Sequence, residues 1–283
     1  MTGADAQAVD GSLSSRLGSD PGEPLALWVR ELDAAPAPDV RALRFEYSSR
    51  GDRVPGVLLL PSRARSPLPL VLLQHGAGGS KESDYLDAAR LPWVRGGAAV
   101  ASIDFPLHGE RANAKLSARL LGSTSTRGPG ELDPQVRALA RDFLRQALCD
   151  LGRALDALAT RPEIDADRVA YAGFSLGGIV GAFYAPADAR LSAAALALAG
   201  GGLGPGELDA TRTISGFAGR PLLFVNATRD ERIPRASAEA LHAAAPEPKQ
   251  IAWFESGHTD LPGRALKAMW IFLAAALRID AAR

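Results

Sequence analysis

Short apolar runs alternate with helical stretches along most of the chain, in the order that a parallel sheet flanked by helices requires. Residues 42–48 alternate between apolar and polar positions, and residues 54–60 follow after a turn, so we expect an antiparallel hairpin. The later runs are apolar throughout, as in strands that helices cover on both faces. These runs are residues 70–74, 98–103, 169–172, 191–198, 221–225 and 250–254. The pattern predicts an α/β fold with a mostly parallel twisted sheet, whose chemistry lies at the carboxyl ends of the strands.

The strongest helix signal covers residues 134–160, where leucine, phenylalanine and alanine recur every three or four residues. Residues 178–184 and 235–244 are further helical patterns. Residues 105–133 form a longer connection than usual, contain Gly and Pro, and begin where a strand ends. We therefore expect this segment to fold over the carboxyl edge of the sheet as a small lid. A second irregular segment, residues 200–219, should lie at the same edge.

The length of 283 residues suits one large domain, because two domains would both be small. We assign residues 36–283 to a single α/β domain and residues 1–35 to a polar N-terminal tail and lead-in segment. The tail lacks the basic start and apolar stretch of a secretory signal, and the apolar run at residues 268–277 is about half a bilayer span. We expect a soluble, cytoplasmic protein.

The charge balance excludes some partners. Lys plus Arg and Asp plus Glu both number 32, so the chain has no general attraction to nucleic acid or to an anionic membrane. Nothing in the pattern specifies an oligomeric state.

The pentapeptide Gly173–Gly177 lies between a strand-like run and a helix-like run, which is the setting of a nucleophile elbow. Such a turn strains the backbone of its central residue, so the residues two before and two after it must be small. Both are glycine here, and Ser175 stands between them. G-x-S-x-G is a weak pattern in a chain with 29 glycines, and an ordinary glycine turn is the alternative. The flanking elements favour Ser175 as a catalytic nucleophile.

A serine hydroxyl is a poor nucleophile until a base takes its proton, and His258 is the best placed of the four histidines. It follows the strand that ends at residue 254, in a loop at the carboxyl end of that strand. His242, by contrast, lies inside a helical pattern, where a packed or solvent-edge role is the simpler interpretation. His258 is therefore our candidate general base.

An acid should fix the tautomer of the base, and it should come from a loop between the serine and the histidine. Asp230 meets this requirement just past the strand at residues 221–225, although a capping role before the next helix is also open to it. Glu231 is the nearest substitute, whereas Asp209 and Asp260 are less well placed.

The tetrahedral intermediate of acyl transfer carries an oxyanion, which two backbone N–H groups usually bind. The amide of Leu176, at the start of the helix after the elbow, is one candidate donor. The other is the amide of Ala77, in a loop whose glycines let the backbone approach a substrate. We interpret His75, in the same loop, as a structural turn residue rather than a second base.

The glycines of this loop do not match a nucleotide site. Gly76 and Gly78 lack the G-x-G-x-x-G spacing, and Ser80 precedes Lys81 where a P-loop needs glycine. Four dispersed histidines and one cysteine offer no metal-binding spacing, so we expect neither a cofactor nor a metal. The cysteine, Cys149, lies in a helical pattern and should be a structural thiol.

The order of these pieces resembles the α/β-hydrolase superfamily, and more narrowly its small esterases similar to dienelactone hydrolases and to the catalytic domain of prolyl-oligopeptidase-type enzymes. The residues that carry the resemblance are His75–Gly76, Asp104–Arg111, Pro162–Val169, Gly173–Gly178, Asp230 and Ser256–His258. The resemblance implies an α/β-hydrolase fold from about residue 40 onward. It also implies a serine carboxylesterase that hydrolyses small to medium acyl esters through an acyl-enzyme. Dienelactone hydrolases have a cysteine where this chain has Ser175.

Other activities use the same site. A thioesterase or an acyltransferase would form the same acyl-enzyme, and a peptidase or a hydrolase scaffold that only binds a ligand are weaker alternatives. The expected partner is a small-molecule ester substrate.

Three residues are candidate substrate contacts: Phe174 in the elbow, and His108 and Arg111 beyond the strand at residues 98–103. For the last two, a turn stabilised by Asp104, Pro106 and Gly109 is the alternative, and we favour it.

Overall fold

The computed structural model describes residues 18, 20–63, 67–122 and 133–279. In these ranges one nine-stranded sheet has the order β1-β2-β3-β5-β4-β6-β7-β8-β9. The strands are β1 Trp28–Glu31, β2 Val40–Ser49, β3 Asp52–Pro61, β4 Leu68–Gln74, β5 Ala99–Ile103, β6 Ile164–Phe174, β7 Leu191–Ala197, β8 Leu222–Ala227 and β9 Lys249–Phe254. The first three strands and the β3–β5 pair are antiparallel, and all other neighbours are parallel. The predicted α/β-hydrolase sheet with its N-terminal hairpin is thus confirmed.

One strand was not expected. β1 lies within the lead-in segment and pairs with β2 through the register Trp28–Glu46 to Glu31–Leu43. Three of its four residues are exposed, so it lacks the apolar alternation that identifies a half-buried strand. Its place at the edge of the sheet explains why the hydrophobic pattern did not reveal it.

Six helices cover the described part of the sheet. They are α1 Asp84–Arg95, α2 Ala114–Gly122, α3 Pro134–Ala159, α4 Leu176–Ala187, α5 Arg235–Ala244 and α6 Gly263–Ala276. Alternate residues of β4 enter two different cores. Leu70 and Leu72 pack in the core that contains α3 and α4 side chains, whereas Val71 and Leu73 pack in the core that contains α1 and α6 side chains. This burial on both faces is the reason for the continuous apolar runs.

The expected lid is described in part. After β5 the chain forms a short 3-10 turn at Gly109–Arg111 and then α2, whose Leu120 is buried in the same core as Phe143 of α3. Residues 123–132 of the expected lid and residues 1–17 of the expected tail lie outside the described residues. The domain boundary and the covering role of the lid stay predictions.

A cluster of charges centred on Arg111 ties the hairpin to α3. The Arg111 guanidinium donates to the Asp150 carboxylate of α3 at 2.7 Å, to the Asp52 carboxylate at the start of β3 at 2.5 Å, and to the Asp104 carbonyl at 3.0 Å. Asp150 is completely buried, and burial raises the pKa of its carboxyl while the Arg111 cation opposes that shift. These contacts give Arg111 a structural role.

Replacing Arg111 with leucine should therefore leave Asp150 buried without its cation. We expect the free energy of unfolding of Arg111→Leu to fall by about 3 kcal/mol, measured by urea denaturation at neutral pH. The control is Arg229→Leu, which breaks an exposed ion pair with Glu255 and should change stability little. Equal small changes in the two variants would contradict the structural role.

Candidate active site

Ser175 lies at the sharp turn between β6 and α4. Its backbone dihedrals are φ 52° and ψ −112°, a region that residues with a side chain rarely adopt. A Cβ atom at Gly177 would lie 2.7 Å from the Gln74 carbonyl oxygen, and one at Gly173 would lie 2.4 Å from the backbone of Gly177. Both distances are shorter than van der Waals contact, so this strained turn against β4 requires both glycines. The local geometry is that of the elbow the pentapeptide predicts.

Ser175, His258 and Asp230 form a hydrogen-bonded chain at the carboxyl ends of β6, β8 and β9. His258 Nε2 lies 2.8 Å from Ser175 Oγ, and His258 Nδ1 lies 2.8 Å and 2.9 Å from the two Asp230 carboxylate oxygens. The Asp230 carboxylate accepts a hydrogen bond from Nδ1–H, so Nε2 carries the lone pair and accepts from the serine hydroxyl. The His258 and Asp230 side chains are only 4% and 6% exposed. The structure thus brings the three candidate catalytic residues together.

Asp230 is held in place by the backbone that follows it. Its Oδ1 accepts hydrogen bonds from the N–H groups of Arg232 and Ile233, at 2.8 Å each. The turn-capping contacts and the contact with His258 therefore coexist in one side chain. They also leave the carboxylate little freedom to rotate away from the imidazole.

Two other carboxylates hold the loop that carries His258. Glu231 Oε2 accepts from the His258 N–H at 3.2 Å, and Asp260 Oδ1 accepts from the Gly257 N–H at 2.6 Å. Both act on the main chain of the loop. Asp209, the remaining carboxylate considered from the sequence, accepts from the N–H groups of Gly202 and Thr211. It thus holds together the irregular segment after β7.

The loop with the Ala77 amide lies directly beside the elbow. A Cβ atom at Gly76 would be 3.3 Å from Ser175 Cβ. The Gly76 carbonyl accepts from the Gly79 N–H at 3.1 Å and from His75 Nδ1 at 2.8 Å. In a trans peptide the C=O and the following N–H point in opposite directions, so these two bonds orient the N–H of Ala77.

The second candidate donor needs no such support. Leu176 is the first residue of α4, and an amide in that position has no partner inside its own helix. Oxyanion binding by these two amides stays a prediction.

The far end of the same loop is anchored by Lys81, whose side chain is almost completely buried. The Lys81 N–H donates to Asp104 Oδ1 at 2.7 Å, and its ammonium contacts the carboxylates of Asp104 at 3.2 Å and Glu110 at 2.5 Å. The Arg44 and Lys81 cations lower the pKa of Glu110 to about 2. The Lys81 ammonium is therefore paired with carboxylates of the protein itself.

His75 and His108 are buried rings that contact each other, with centroids 5.3 Å apart. His75 Nδ1–H donates to Gly76 and its Nε2 accepts from the Phe105 N–H at 3.2 Å, so the ring is neutral with a fixed tautomer. Burial lowers the pKa of His75 to about 4. His108 Nδ1 donates to the Pro106 carbonyl at 2.8 Å, its ring also packs on Phe143, and burial lowers its pKa. These contacts support the structural interpretation of both residues.

The remaining aromatic side chains considered for the site pack against other rings. Phe174 is 6% exposed and meets the ring of Tyr85 edge-on, with centroids 5.9 Å apart. A substrate contact by Phe174, His108 or Arg111 stays a prediction. His242 lies in α5 and packs edge-on against Phe224. Tyr85 was missed, because nothing in the local pattern shows that its hydroxyl accepts from the Gly76 N–H at 2.6 Å.

The described ranges contain no group of three or more His, Cys, Asp or Glu side chains that could hold a metal ion. In the same ranges, the helices are all too short or too polar to span a bilayer.

His75 should make the protein less stable as the pH falls from about 6.5 to about 4. Over this interval the unfolded ring takes up a proton and the folded ring does not, so protons favour the unfolded state. The contribution of the neutral His75 ring to the free energy of unfolding is complete above pH 6.5 and is lost as the pH falls through 4. The total loss is about 3 kcal/mol. Urea unfolding of His75→Gln should show a pH dependence smaller by about this amount. A pH dependence identical to that of the wild type would contradict the buried neutral ring.

Known proteins resemble both the sequence and the fold. The acetyl xylan esterase (AXE1) family matches residues 28–198, more than half of the chain. Among solved structures, the acetyl xylan esterase from Paenibacillus sp. R4 is 19% identical, with a TM-score of 0.73 over 96% of this chain and 94% of that one. A cold-adapted esterase from an Arctic intertidal metagenomic library is 20% identical, with a TM-score of 0.69 over 88% of this chain and 98% of that one. Glucuronoyl esterase from Solibacter usitatus is 15% identical, with a TM-score of 0.64 over 93% of this chain and 91% of that one.

No curated protein matches the sequence. At these identities the solved structures establish the fold, whereas the family match extends over the sequence from β1 past the end of β7. That stretch includes the glycine-rich loop and the elbow. The chain therefore belongs to the acetyl xylan esterase (AXE1) family of α/β hydrolases, and it is a carboxylic ester hydrolase.

Proposed function

We propose that the protein is a serine carboxylesterase that hydrolyses small to medium acyl esters through an acyl-enzyme. The observation that carries the proposal is the chain of hydrogen bonds from Ser175 Oγ through His258 to Asp230, with contacts of 2.8 Å at both ends. Its members come from three separate loops. A purely structural role would not require a strained serine at the start of a helix as well.

In the acylation step, Ser175 Oγ attacks the carbonyl carbon of the ester while His258 Nε2 takes the hydroxyl proton. Asp230 stabilises the imidazolium that forms, and the amides of Ala77 and Leu176 bind the oxyanion of the tetrahedral intermediate. The intermediate collapses by breaking the bond to the alcohol oxygen. His258 Nε2 gives that oxygen its proton, and the alcohol leaves.

In the deacylation step, water takes the place of the alcohol. His258 Nε2 accepts a proton from the water as its oxygen attacks the acyl-enzyme, and a second tetrahedral intermediate forms in the same oxyanion site. The bond to Ser175 Oγ then breaks, and His258 returns the proton to the serine. The products are a carboxylic acid and the free enzyme.

Acetyl esters of carbohydrates are the first substrates to test, because the matching family is that of acetyl xylan esterases. A thioesterase or acyltransferase would share the acyl-enzyme and differ only in the leaving group or the second nucleophile. Turnover of an acetyl ester, an acetyl thioester and an acetyl amide under one condition separates these activities.

Substitution of the three residues should give distinct losses in the hydrolysis of nitrophenyl acetate. By analogy with serine hydrolases, Ser175→Ala or His258→Ala should lower kcat by about 10⁶ and Asp230→Asn by about 10⁴. A fluorophosphonate probe should label the wild type and not Ser175→Ala. Glu239→Gln is the control, because this exposed carboxylate pairs with Arg235 on α5, and the variant should keep the kcat of the wild type. Equal labelling of wild type and Ser175→Ala would overturn the assignment.

Nitrophenyl esters of increasing acyl length test the acyl preference. If the segment after β5 closes over the acyl group, turnover should be highest for acetyl and short acyl chains and fall as the chain lengthens. Turnover that rises with acyl length would contradict the proposed substrate range.

A further inference from the structure

We propose that Tyr85 is a positioning residue of the oxyanion site, whose hydroxyl holds the loop with the Ala77 amide in register with the nucleophile. The inference rests on the proposed function, since it assumes that the Ala77 amide binds the oxyanion.

The Tyr85 hydroxyl reaches the loop at the residue directly before Ala77. Tyr85 is the second residue of α1, and its Oη accepts a hydrogen bond from the Gly76 N–H at 2.6 Å. The position of a Cβ atom at Gly76 lies 3.6 Å from Tyr85 Oη and 3.3 Å from Ser175 Cβ. The phenol, the loop and the nucleophile therefore meet at Gly76.

A second hydroxyl holds the other end of the loop. Ser83, which precedes α1, accepts a hydrogen bond from the Ser80 N–H at 2.8 Å. A Cβ atom at Gly79 would lie 3.0 Å from Ser83 Oγ and 3.1 Å from Tyr85 Oη, so both hydroxyls press on the loop. The start of α1 thus holds the loop at both Gly76 and Ser80.

The bond matters because Gly76 is glycine. Its N–H is fixed by Tyr85, and its C=O is fixed by His75 and by the Gly79 N–H. Without the first restraint, the wide φ and ψ freedom of glycine lets the peptide before Gly76 rotate. Such a rotation shifts Gly76 relative to Ser175 and leaves the Ala77 amide held by the two bonds to the Gly76 carbonyl alone. A donor that is not aligned in advance stabilises the developing oxyanion less.

Side-chain packing does not explain the tyrosine equally well. Tyr85 is 46% exposed, and its ring meets Phe174 by an edge. Phenylalanine would preserve this ring contact and remove only the hydroxyl. Tyr47 offers a matched comparison, because its hydroxyl donates to the Asp150 carbonyl at the same distance of 2.6 Å, in the fully buried core beneath the hairpin.

The test compares Tyr85→Phe with Tyr47→Phe in the full-length protein. For Tyr85→Phe we expect kcat for nitrophenyl acetate to fall about tenfold or more, which is less than the loss of a whole oxyanion donor. KM and the melting temperature should change little. Phenylboronic acid, which forms a tetrahedral adduct with the serine, should bind more weakly by the factor lost in kcat/KM. Binding of the product acetate should stay the same. Tyr47→Phe should lower the melting temperature and keep kcat.

The outcomes separate this inference from the proposed function. If the probe labels the wild type, but Tyr85→Phe matches it in kcat and in boronic acid affinity, the positioning role is wrong and the proposed function stands. A fall in kcat together with a clear fall in both the melting temperature and the affinity for acetate would also overturn the positioning role. Ser83→Ala provides the same comparison if Tyr85→Phe does not fold, with a smaller loss of kcat expected. If the wild type is not labelled by fluorophosphonate, the proposed function itself has failed.

Discussion

The contact between the nucleophile elbow and the end of β4 is the constraint on which the site depends. Gly177 lies so close to the carbonyl oxygens of Gln74 and His75 that no side chain fits between them. This contact brings the start of α4 against the glycine-rich loop, so the amides of Leu176 and Ala77 are carried on two backbone segments in direct contact. The strained dihedrals of Ser175 are the local cost of that approach. The parallel pairing of β4 with β6, which extends to Gln74 and Gly173, holds the two segments side by side.

The sequence predicted most of the sheet because its central strands are buried on both faces. Their runs of consecutive apolar residues are longer than those of a strand with one exposed face. The order of strands and loops along the chain places polar residues at the carboxyl edge of the sheet. The elbow could be predicted for a related reason, since the steric requirement for glycine at positions 173 and 177 is local. The position of Asp230 and His258 at the carboxyl edge could be predicted because each lies within four residues of the end of a strand of the same sheet.

Other features of the structure could not be predicted from the local pattern of apolar and polar residues. β1 is an exposed edge strand, so it carries no apolar alternation. The hydroxyl contact of Tyr85 with Gly76 arises where a helix begins against a loop, and periodicity contains no information about it. The role of Arg111 depends on Asp150, 39 residues away on α3. Sequence spacing identifies which residues lie at the edge of a sheet, but not which partner each charged group finds there.

The candidate base is attached to β9, which is an edge strand of the sheet. β9 has β8 as its sheet neighbour in the described residues, and His258 lies in the loop just beyond it. The nucleophile, by contrast, follows β6, which lies between β4 and β7. The candidate nucleophile and the candidate base therefore differ in their support: one follows a strand in the interior of the sheet, and the other is attached to its margin. Local opening of that margin would separate the imidazole from the serine while the core stayed folded, so reinforcing the β8–β9 edge would protect catalysis more directly than improving the packing of the core.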